Sequence, residues 1–194
     1  MKNNSLFDTR KVVLLALFTA IVAVLQLLGA FIKFGPFSIS LVLMPIAVGA
    51  ALMGVFAGVW LGLVFGIIVL LSGDAAPFMV FDPAATIFVV LLKGMLAGAA
   101  AGAVYRILAG FNKTAAAVAA AISCPVVNTG MFIAGGYLFF LPILTEWAGS
   151  AAEVTAFIFL VMVGANFLVE LAINLVLSPV IVRLIQYRNE KKPA

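Results

Sequence analysis

The sequence contains no histidine and one cysteine, and only 9% of its residues are charged. Without histidine, the commonest general base and the commonest metal ligand are both missing. Cys124 alone can form neither an internal disulfide nor a thiolate metal cluster, and its Ala-rich apolar surroundings read it as an inert buried thiol. No Gly-rich loop ending in Gly-Lys-Ser/Thr occurs, so the chain has no phosphate cradle with which to hydrolyse ATP itself. Paired carboxylates at metal-ligand spacing are missing too, and a Ser–His arrangement is impossible. These absences argue against an enzyme and against a resident cofactor. The net charge of +4 does not point to nucleic acid, because the basic residues fall at the ends of the apolar runs.

What the chain has instead is hydrocarbon. Some 66% of its residues are hydrophobic, and its charged share lies far below the ~25% of an ordinary soluble domain. A water-soluble core of that apolarity would have no polar shell to cover it, so the solvent is a bilayer. The pattern predicts an all-α membrane protein, a six-helix transmembrane bundle forming one domain over 1–194. Its spans are expected at about 12–32, 39–54, 57–71, 84–108, 114–141 and 154–185. The polar N-terminal stretch reads as a lead-in to a retained helix, since no small-residue cleavage site follows the first apolar run.

The uncharged run 41–71 decides the count. As one helix it would be ~46 Å long against a hydrocarbon core of ~30 Å, so two short helices joined near Gly54–Gly58 fit better. With six spans both termini share a side. That side carries Lys2, Arg10, Lys11, Arg106, Lys113, Arg183, Arg188, Lys191 and Lys192, while the other carries Lys33 with Asp74, Asp82, Glu146 and Glu153. The positive-inside rule then makes both termini cytoplasmic.

Small residues recur at helix-contact spacing. Gly54, Gly58, Gly62 and Gly66 form one stripe, and Gly94, Gly98 and Gly102 form another. Such stripes let backbones approach where lipid supplies no hydrophobic drive, and internal packing is their expected use. Ala16, Ala20 and Ala23 make a similar face on the first span, suited either to packing within the bundle or to docking another membrane protein.

Polar residues inside apolar spans mark cavities or partners. Lys93 lies ~14 Å into the fourth span and Asn128 ~20 Å into the fifth, at ~1.5 Å per residue. Asn166, Glu170 and Asn174 fall at i, i+4 and i+8 on one face of the sixth. Three helices thus bring polar groups to the outer and middle part of the bilayer, which suggests a binding cavity opening outward. An interhelical Lys93–Glu170 pair with asparagines as hydrogen-bond glue is the structural alternative, and it could also frame a pocket floor. The segment Asp74–Pro83 joins two carboxylates to Phe78, Met79 and Phe81, as a lid would, or a plain connector. The candidate substrate-binding set is Lys93, Asn128, Asn166, Glu170, Asp82, Phe78 and Phe81. This mixture suits a small amphipathic molecule with hydrogen-bonding groups, including one whose carboxylate Lys93 could meet.

Several features together resemble the substrate-binding S component of an energy-coupling factor (ECF) vitamin transporter. They are the Ala16-xxx-Ala20 face, Pro45–Ala50 followed by Gly54-xxx-Gly58-xxx-Gly62, and Leu92-Lys93-Gly94 with Ala97-Gly98. Pro125-Val-Val-Asn128-Thr-Gly130 and Asn166-xxx-Glu170 complete the set. The match runs over nearly the whole chain and is nearest the branch with riboflavin-, pantothenate- and folate-type members, although no stacked aromatic constellation for a flavin is evident. The resemblance implies a six-helix bundle with an outward-facing site for a small vitamin-like molecule. It also implies that Ala16, Ala20 and Ala23 dock on a transmembrane coupling subunit driven by two ATPase subunits. A self-sufficient secondary carrier or channel is the competing reading, against which no discontinuous-helix inverted repeat is detectable.

Overall fold

The computed structural model describes residues 9–31, 33–34, 37–38 and 41–190. Lys2, Lys191 and Lys192, counted in the charge asymmetry, lie outside the described residues. The chain begins with α1 (Thr9–Gly29), then a short antiparallel hairpin of β1 (Lys33–Phe34) and β2 (Phe37–Ser38). Next come α2 (Leu43–Met53), α3 (Val55–Ser72), α4 (Ala76–Phe81), α5 (Pro83–Leu108), α6 (Lys113–Phe139) and α7 (Leu141–Ala148). The last helical run joins α8 (Val154–Ala156), a π-helical stretch Phe157–Gly164 and α9 (Ala165–Glu190).

The uncharged run 41–71 is two helices. The break falls at Gly54, whose φ of 99° lies in a region open to glycine and strained for other residues. The first piece, α2, is only 11 residues and buries eight of them. Among the described residues, five helical segments are long and apolar enough to cross a bilayer: Thr9–Gly29, Val55–Ser72, Pro83–Leu108, Lys113–Phe139 and Val154–Pro179. Helices α3, α5 and α6 overlap the stretches 57–71, 84–108 and 114–141, and the last helical run continues past 185 to Glu190. The first helix starts and ends earlier than the 12–32 expected. The hairpin, α4, α7 and the π-helical stretch are not evident from hydropathy, because each is short or continues an apolar run.

Local chemistry sets two helix starts. Asp82 caps α5, its Oδ1 accepting from Ala85 N–H at 3.0 Å, and Pro83 follows at a position where no N–H is needed. Asn112 caps α6 by accepting from the Thr114 and Ala115 N–H groups at 2.9 and 3.0 Å.

The glycine stripes face one another. α3 and α5 run antiparallel with Gly58 against Gly98 and Gly62 against Gly94, so close that a Cβ on any of the four would collide with the facing carbonyl oxygen. One turn further along each way, Gly66 meets Val90 and Leu91, and Gly102 meets Val55. Internal packing is therefore what both stripes do. Dispersion at this backbone separation holds the pair, since lipid contributes no hydrophobic drive between helices.

The packed interior forms two apolar clusters. One gathers α1, α2, α3, α5 and α6 around Val22, Leu43, Ile46, Leu61, Phe65 and Cys124. The other lies beneath α4 and α7, around Phe78, Val89, Phe140, Leu144, Ile158 and Met162.

Candidate functional site

Between the two clusters lies a cavity of about 100 Å³. Val69, Ala75 and Val90 reach it from the first cluster, and Phe78, Met162 and Val163 from the second. Polar side chains complete the wall: Gln26 from α1, Asp74 from the turn after α3, Lys93 from α5, Asn128 and Thr129 from α6, and Asn166 and Glu170 from α9.

Five of the seven substrate-binding candidates thus come together on one cavity: Lys93, Asn128, Asn166, Glu170 and Phe78. The other two stand apart. Asp82 serves as the cap of α5, and its carbonyl accepts from Thr86 Oγ1 at 2.7 Å. Phe81 is 43% exposed at the end of α4 and meets the Phe140 ring with 6.5 Å between centroids. Segment 74–83 is neither loop nor strand at its centre but the short helix α4. Phe78 pins that helix inward, with its ring 4.7 Å from Phe140, 5.3 Å from Trp147 and 5.9 Å from Phe132.

Lys93 is set between aromatic faces, its Nζ 5.7 Å from the Phe65 centroid and 5.5 Å from that of Phe132. Ring quadrupoles attract a cation at this range and stand in for part of its lost hydration. Glu170 and Asp74 are the acidic groups whose fields reach it.

The amides are less well provided for. Gln26 is 1% exposed and donates from Nε2 to Asp74 Oδ2 at 3.0 Å, which ties the end of α1 to the turn after α3. Its Oε1 has no hydrogen-bond partner, and neither has Oδ1 of Asn128, Asn166 or Asn174. Asn174 lies one turn beyond Glu170 and donates to the Glu170 carbonyl at 2.8 Å. A buried carbonyl oxygen left unpartnered costs ~1–3 kcal/mol, and three of these four belong to residues that line the cavity.

Gln26, Asp74, Thr129, Phe132, Met162 and Phe167 line the cavity and were not among the candidates. Gln26 had a readable signal, being a polar residue near the end of an otherwise apolar span. Thr129 adjoins Asn128, and Asp74 was noted in the loop. Phe132, Met162 and Phe167 had none, since an apolar side chain in an apolar run reads the same whether it meets lipid or ligand.

On the other flank of α1, Ala16 and Ala20 are exposed and Ala23 is half-buried. Beside them Trp60 of α3 donates from its indole to Thr19 Oγ1 at 3.1 Å.

Apolar helices of bilayer length around a cavity of amides, aromatics and a few charges define an integral membrane protein. The chain matches the family of the ECF transporter, substrate-specific component, over residues 10–182, and it belongs to that family. No curated protein and no solved structure matches it. It is accordingly a transport subunit and not an enzyme, the part of an ECF transporter that selects a small-molecule substrate while a transmembrane and ATPase module supplies energy.

Proposed function

We propose that the cavity between α1, α5, α6 and α9 is the substrate site, and that the chain captures a small vitamin-like molecule on the outer side of the membrane. The riboflavin, pantothenate and folate types are the frame that the family resemblance supplies. The observation that carries the reading is the convergence of Gln26, Asn128 and Asn166, polar side chains from three apolar helices, on one cavity. Lys93, Glu170 and Phe78 complete the contact set. Packing alone gives no reason for polar side chains to converge inside apolar helices, whereas a ligand does.

The chain then acts as one integral domain over 1–194, with six spans once the buried α2 is counted with the five longer segments. Both termini face the cytoplasm, a reading that the charge asymmetry supports. The exposed Ala16 and Ala20, with Ala23 beside them, form the face that meets the coupling subunit, and small side chains there permit close helix approach. Two ATPase subunits drive the cycle through that subunit.

Purification from host membranes in mild detergent tests the whole reading. The coupling subunit and both ATPases should co-purify, and native mass spectrometry should find a retained small molecule. Uptake by this chain alone in liposomes, with no ATPase present, would overturn it in favour of a self-sufficient carrier.

A further inference from the structure

We infer that Gln26 is a positioning residue of the substrate site: it holds the Asp74 carboxylate in place as a second counter-charge to Lys93, and substrate affinity depends on that hold. The inference rests on the reading of this cavity as the substrate site. It gives a role to a side chain that acts through another.

The bond itself is the first argument. Gln26 Nε2 donates to Asp74 Oδ2 at 3.0 Å, across 48 positions of chain, and both residues line the cavity. An ionised carboxylate can only accept, so the bond also fixes which way the amide points. Gln26 sits in the inward stripe of α1 with Phe18, Val22 and Gly29, none of which has a polar side chain. It is 1% exposed and its Oε1 has no partner, so the bond to Asp74 is what offsets burying the amide.

The held group would otherwise turn to water. Asp74 is half-buried and follows Gly73, whose φ of 82° shapes the turn between α3 and α4. A Cβ at Gly73 would meet nothing within 4 Å, so this side of the turn is open. A carboxylate there gains hydration by swinging outward, and a fixed donor on α1 opposes that movement.

Lys93 is where the hold matters. Its ammonium stands between the Phe65 and Phe132 rings, and Asp74 from the turn and Glu170 from α9 are the carboxylates whose fields reach it. Two rings and two acidic groups restrain the ammonium before a substrate arrives, and a binding group already in position gives up less freedom on binding. Without Gln26 the restraint falls to Glu170 and the rings.

Solid-state NMR in lipid bilayers, on protein labelled with nitrogen-15 at lysine Nζ, reads the Lys93 amine with no bound molecule required. Lys93→Arg identifies its resonance. Asp74→Asn removes the charge but keeps an oxygen to which Gln26 can donate, and it should shift the resonance. Gln26→Met, of similar length and without a donor, should shift it in the same direction by at least half as much, and Gln26→Leu repeats the test. On the Asp74→Asn background neither should add anything. A Lys93 resonance unmoved by loss of the Gln26 donor overturns the inference, and a bond that merely braces the fold gives that result.

Native mass spectrometry of the same variants, purified from host membranes, reads the small molecule that the wild type retains. Gln26→Met and Asp74→Asn should each lower the ratio of loaded to empty chain by about tenfold, the loss typical when the partner that orients a metal ligand is removed. The double variant should lose no more than either. Full loading of Gln26→Met overturns the inference. Val90→Phe and Thr129→Trp, two ways of filling the cavity, then show whether the site falls with it. A filled variant that melts like the wild type and stays loaded removes the cavity as the site. An empty filled variant beside a loaded Gln26→Met keeps the site and removes Gln26 alone.

Discussion

A buried amide oxygen without a donor is a standing cost to the empty fold. Replacing Asn128 or Asn166 by leucine, of similar volume, removes that cost, so the empty protein should become more stable by ~1–2 kcal/mol while losing substrate. Thermal melting in detergent beside a binding titration checks both halves, and a destabilised leucine variant would show that the amide is structural. Lys93 and Glu170 differ from the asparagines in carrying charge. If they were only a structural pair, Lys93→Met or Glu170→Met alone should destabilise the fold and the double change should restore it. Because both line the cavity beside the amides, the double variant is expected to fold and still fail to bind. Melting and titration on the three variants separate the outcomes. These four polar residues were legible in the sequence because each interrupts an apolar run where polarity is expensive. Asp82 was equally conspicuous, yet its carboxylate caps a helix. Conspicuous polarity marks a constraint without naming it.

At the scale of elements, the α3–α5 contact should be the least forgiving in the molecule. Gly62→Val would drive side-chain carbon into the Gly94 carbonyl, and separating two backbones is the only relief. Loss of the folded protein from detergent extracts is expected, while Gly130→Ala, with nothing within 4 Å of the new carbon, should extract and melt like the wild type. Size-exclusion recovery after solubilisation reads both. The π-helical stretch Phe157–Gly164 makes a subtler demand. A Cβ at Gly164 would lie 2.6 Å from the Phe159 carbonyl, five residues back, which is the spacing that a π turn closes. Met162 and Val163 on one side of this point and Asn166 on the other all line the cavity. Gly164→Ala should therefore rotate these residues relative to one another, and binding should weaken at least tenfold while the melting temperature falls only a few degrees. Spacing alone announced that the two glycine stripes were contact faces, but the wide turn has no comparable signature, since its residues continue the same apolar run.

For the whole molecule, capture and transport are separable. Ala16→Leu and Ala20→Leu place bulk on an exposed flank of α1, away from the cavity wall. They should abolish uptake in cells while leaving binding in detergent unchanged, and unchanged uptake in both would remove this face from docking. The chain by itself determined the solvent, the long helices and the pairing stripes, because bilayer thickness, backbone hydrogen bonding and close packing leave their periods in the order of residues. It also determined which polar groups were out of place in hydrocarbon. Only the tertiary structure decided that Gln26, Asn128, Asn166, Lys93 and Glu170 line one cavity, that Phe78 turns inward while Phe81 does not, and that Asp74 is held by Gln26. The reason is physical: a helix fixes which residues share its own face, but the azimuth and register of one helix against another follow from contacts among residues far apart in the chain.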